Sequence, residues 1–126
     1  MEALIQASKD VLNCYSLGKV YLDRIEGLVS GGGKVVSLNL KNEYASLRFE
    51  LSAILATGSL KYAFQNKNFL LSDLGPEDEH FIVSALAYNV ATALVVPILT
   101  KGPVDLDRLE SDLSESLQAM KVIQNR

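Results

Sequence analysis

The order of elements readable along the chain predicts a single α+β domain over residues 1–126: helix, hairpin, long helix, three strands, helix. Three observations carry this. Residues 19–23 alternate, with Lys19, Tyr21 and Asp23 against Val20 and Leu22, and Ile25-Glu26-Gly27 supplies a turn. A long amphipathic segment follows at about 43–63. Beyond His80 the residues Phe81, Val83, Ala85 and Ala87 alternate, Asn89 stands where a turn separates two strands, and Pro97 suits a strand ending at a sheet edge. The same stretch, 76–98, also fits a buried helix. The alternative fold is therefore a mostly helical bundle.

The first helix is written by Leu4, Ala7, Val11 and Cys14 at helical spacing, and Gly18 ends it. Cys14 belongs to that stripe and reads as a buried structural thiol. Leu28-Val29 restarts an apolar run after the turn. The glycines 31–33 mark the end of that second strand, because glycine removes side chains from a sheet.

Asn42 is a candidate N-cap for the long helix, with Glu43 in its first turn. At about 100° per residue its apolar positions fall on two opposite faces. Tyr44, Leu47, Leu51, Ile54, Leu55 and Tyr62 form one; Phe49, Ala53, Ala56 and Leu60 form the other. A helix of this kind needs two partners, its own core and a second surface.

Phe69-Leu70-Leu71 is a short apolar run bounded by turn residues and reads as a strand. Gly75-Pro76-Glu77-Asp78-Glu79 serves either as a helix start, with proline in the first turn, or as the polar loop of a hairpin. The last element is a helix with one stripe, Leu106, Leu109, Leu113, Leu117 and Met120, with acids and serines opposite.

Bulk properties narrow the function. The 126 residues are 48% hydrophobic and 21% charged, which is globular composition. A net charge of −3 without a Lys/Arg run argues against nucleic-acid binding. One cysteine and one histidine do not supply a structural zinc site, and a single cysteine fits a reducing compartment. The N-terminus lacks a secretory pattern, and the apolar region 81–99 is interrupted by Ser84, Asn89, Thr92 and Pro97. The expectation is a cytoplasmic protein that does not insert into membranes.

The stretch VYLDRIEGLVSGGGKVVSL, residues 20–38, invites a phosphate-binding reading that its spacing refuses. A P-loop needs G-x-x-x-x-G-K-[ST]. Counting back from Gly33-Lys34, the first glycine should stand at Leu28, and after Lys34 comes Val35, which has no hydroxyl for a metal. No cofactor is expected.

Taken with their order, four segments resemble the roadblock/light-chain-type family of small-GTPase regulators, among them DLDRLESDLSESLQAM, which resembles its terminal helix. VYLDRIEGLVS resembles its first hairpin, EYASLRFELSAIL its long central helix, and FIVSALAYNVATALVVPIL its closing strand pair. The resemblance implies a five-stranded antiparallel sheet, order 2-1-5-4-3, with the central helix and two flanking helices. It also implies a non-catalytic homodimeric adaptor that binds a Ras-like small GTPase. The alternative function is a mostly helical interaction subunit of a larger complex.

Chemistry-bearing residues agree with a non-enzyme. His80 is the only histidine and reads as a surface residue, so no Ser-His-Asp set assembles beyond it. Asp105, Asp107, Glu110 and Asp112 read as a solvated acidic helix start, and Asp23 and Glu26 as turn acids. The expected dimer interface is the alanine-rich face: Phe49, Ala53, Ala56 and Leu60.

Overall fold

A computed structural model of the chain describes residues 1–32, 38–57, 74, 78–100 and 102–125. Every regular element among them is an α-helix: α1 (Glu2–Leu12), α2 (Ser16–Gly32), α3 (Leu38–Thr57), α4 (Glu79–Leu99) and α5 (Leu106–Gln124). The predicted five-stranded sheet is thus replaced by a helical bundle, and the helical alternative is the one that holds.

The first hairpin is where the correction starts. Five alternating residues satisfy a strand, but the window 17–29 places Leu17, Tyr21, Leu22, Ile25, Leu28 and Val29 at spacings of three and four. Tyr21, Leu22, Ile25 and Leu28 are buried, whereas Val20, Asp23, Arg24 and Glu26 are exposed. Lys19 and Tyr21 therefore do not share a face.

Gly18 does not end the first helix. The chain turns at residues 13–15, and Gly18 lies inside α2, buried beneath the end of α1. A Cβ there would come within 2.4 Å of the Leu12 carbonyl oxygen, so glycine is what lets the two helices meet so closely. Cys14 sits on this corner, exposed rather than buried, and its Sγ donates to the Asp10 carbonyl at 3.4 Å.

The second correction is α4, which runs without interruption through Asn89 in place of two strands. Alternation misleads here because every residue from Phe81 to Ala87 is buried, Ile82, Ser84 and Leu86 included. In such a run period two and period 3.6 both fit. Pro97 lies in the final turn, so the donor it lacks and the crowding of its ring affect only the C-terminal end of the helix. The hydroxyls of Ser84 and Thr92 donate to the carbonyls of His80 and Tyr88, so neither needs a partner outside the helix.

Helix α4 is the centre of the molecule. It packs against α1, α2, α3 and α5, and these sheathing helices neighbour one another in the order α5, α1, α2, α3. It is also long and apolar enough to cross a bilayer, but here half of its apolar window is buried inside the bundle. A polar contact links it to α5. The Asn89 amide donates to the Asp112 carbonyl and to Ser116 Oγ, both at 3.1 Å.

The terminal helix forms where its stripe predicts it. Asp105 caps it by accepting from the Arg108 backbone N–H at 3.0 Å, as an N-cap carboxylate should. Leu113, Leu117 and Met120 are buried, while Leu106 at the first position is 59% exposed. The predicted strand at 69–71, the helix-start residues 75–77 and the Gly33–Lys34 pair lie outside the described residues.

Candidate functional site: the outer face of the third helix

Helix α3 begins earlier than expected, at Leu38, so Asn42 is an exposed residue in its body and not its cap. Its core face is the predicted one. Tyr44, Leu47 and Leu51 are buried, joined by Leu40, and Ile54 and Leu55 are partly buried. The opposite face carries Phe49, which is 77% exposed, more than Met1, Val20 or Leu106, the other large apolar side chains left in solvent among the described residues. Ala53 and Ala56 are exposed beside it. Leu60 of this face and Tyr62 of the core face lie outside the described residues.

An ion pair bridges α2 and α3 at the surface. Arg24 Nη1 on α2 donates to Glu50 Oε2 at 2.7 Å. The pair shows the direction. Were the two helices parallel, Gly32 and Leu38 would lie about 30 Å apart at about 1.5 Å per residue, whereas six chain steps span roughly 20 Å. The hairpin is therefore antiparallel. Val20, one turn before Arg24 on α2, is 56% exposed.

Burial of Tyr21 beneath this pair raises its phenol pKa above the ordinary value; the Glu50 carboxylate adds to the rise and the Arg24 guanidinium opposes it. Both charges at the seam are surface charges, 40% and 53% exposed, so the pair adds little to stability.

Around the outer face the residues are small and the charges segregated. Ala45, Ser46, Ser52, Ala53 and Ala56 surround Phe49. At about 100° per residue, Lys41 and Arg48 fall along one edge of this strip, and Glu43 and Glu50 along the other. All four are exposed. The face is thus a strip of small residues around Phe49, with Asn42, Ser46 and Ser52 among them, between a basic border and an acidic border.

The remaining candidates are dispersed. His80 is exposed in the first turn of α4, and Cys14 lies at the α1–α2 corner. Asp107 and Glu110 line an open depression of about 330 Å³ with Ser111 and Ser114 at the start of α5. Among the described residues no three His, Cys, Asp or Glu side chains group as metal ligands. Asp23 and Glu26, read as turn acids, are exposed on α2, and Glu26 meets Lys9 of α1 at 3.5 Å. The sequence already places Arg48 and Glu50 on opposite seams of this helix; Lys41 joins the basic seam because the helix begins at Leu38.

Compared with protein families, curated proteins and solved structures, the chain matches none.

Proposed function

We propose that this chain is a non-catalytic helical interaction subunit that docks on a partner chain through the outer face of α3. The observation that carries the reading is Phe49, a large aromatic side chain 77% exposed on a helix whose opposite stripe is in the core. Aromatic side chains are enriched in the cores of protein–protein interfaces. The Ras-like GTPase partner comes with the roadblock resemblance, and that resemblance rests on a hairpin and a strand pair that are helices. The partner is instead described by the surface it must fit: a strip of small residues around Phe49, one helix wide, edged by both signs of charge.

A photo-crosslinking amino acid at position 49, compared in cells with one at exposed Gln118 on α5, tests this. Position 49 should give a discrete adduct and position 118 none. No adduct at 49, or equal labelling at both, contradicts the reading.

A further inference from the structure

We infer that the occupant of the α3 face is a second copy of this chain, bound with the two α3 helices parallel about a two-fold axis. This rests on the interaction-subunit reading and names its partner.

The argument is one of charge. An axis running alongside α3 turns the basic border of one copy toward the acidic border of the other. Lys41 then faces Glu43 of the second copy, and Arg48 faces Glu50, each contact occurring twice. An antiparallel pairing does the opposite, setting Arg48 against Arg48 and Glu50 against Glu50 of the second copy. Only the parallel arrangement is self-complementary.

Shape agrees. Phe49 lies near the middle of the 20-residue helix and meets its own copy at the axis, where two symmetry-related rings can stack with an offset. Ala45, Ser46, Ala53 and Ala56 let the helix backbones approach on either side of it. Glu50 already accepts from Arg24, and a carboxylate has two oxygens with which to accept a second guanidinium. Among the large apolar side chains left in solvent on the described helices, Phe49 is the most exposed.

The experiment is sedimentation equilibrium of the full chain beside Arg48→Glu, Glu50→Arg and their equimolar mixture. Wild type should be dimeric. Each variant alone should associate at least roughly tenfold more weakly, because its interfacial pair at this level becomes like-charged. The mixture should recover, since the all-acidic borders of one variant then face the all-basic borders of the other at that level. Lys41→Glu and Glu43→Lys repeat the test away from the Arg24 pair, and circular dichroism confirms that each variant is folded. A wild type monomeric at all concentrations overturns the inference, as does a wild-type dimer that both single variants leave unchanged. The adduct at position 49 separates this from the broader reading. Twice the 13.7 kDa chain mass supports a second copy, another mass overturns the copy but keeps the docking face, and no adduct removes both.

Discussion

Helices α3 and α4 are nearly equal in length, 20 and 21 residues, and both carry apolar side chains on more than one face. The bundle treats them oppositely. The first turns of α4 are covered all round, while α3 is covered along one stripe and leaves Phe49 in solvent. What separates them is polar content. From Phe81 to Leu99 no residue carries a charge, so α4 has no side that prefers water. On α3, Lys41, Glu43, Arg48 and Glu50 border the outer strip and hold that side at the surface. An apolar stripe says that a helix needs a neighbour; its charged borders say whether the neighbour comes from the same chain.

The contrast is broken most severely from the inside. Leu86 of α4 is fully buried, and Leu86→Ala should lower the unfolding free energy by about 2–5 kcal/mol in a urea titration. A loss below about 1 kcal/mol would mean that α4 is not the packed centre. Gly18→Ala should be next, costing about 1–3 kcal/mol because the new methyl meets the Leu12 backbone. Gly27 on the same helix has open space around it, so Gly27→Ala should instead stabilise by about 0.4–1 kcal/mol. If both changes act alike, the close approach of α1 and α2 is wrong.

Asn89→Ala sharpens the comparison, since this residue is the polar link between α4 and α5. It should cost about 1 kcal/mol, a modest value because the Ser116 hydroxyl keeps its own bonds to the Asp112 and Leu113 carbonyls. An unchanged stability would remove the Asn89 bonds from the account. At the other end of the scale, Phe49→Ser should leave monomer stability within about 0.5 kcal/mol, as exposed positions do. A loss comparable to that of Leu86→Ala would place Phe49 in the core.

Amphipathic helices are legible where one stripe is apolar and the rest polar. The terminal helix is written by Leu113, Leu117 and Met120, and the core face of α3 by Tyr44, Leu47 and Leu51. Illegible is any segment in which a short window satisfies two periods. Residues 19–23 alternate by chance inside a longer helical pattern, and 81–87 are apolar at nearly every position, so burial and not periodicity decides them. Asn89 resembles a turn residue because asparagine is common in turns. In the folded chain it is a hydrogen-bond donor to a neighbouring helix, which only the packing of α5 reveals. The Gly18 contact depends likewise on where α1 ends. Phe49, Ala53 and Ala56 read as one surface from spacing alone, and the fold leaves those three exposed together.

The outer face of α3 as a place of self-association is tested most directly by Ala53→Glu, examined by sedimentation equilibrium beside wild type with thermal melts of each below the dissociation concentration. Ala53 is exposed in the single chain, so the variant should fold and melt as wild type does. In the dimer the new carboxylate would be desolvated without a partner, so association should fall by several kcal/mol, on the order of the cost of burying an unpaired charge, and leave a monomer. A monomeric wild type, or a variant that remains as dimeric as wild type, would contradict the account.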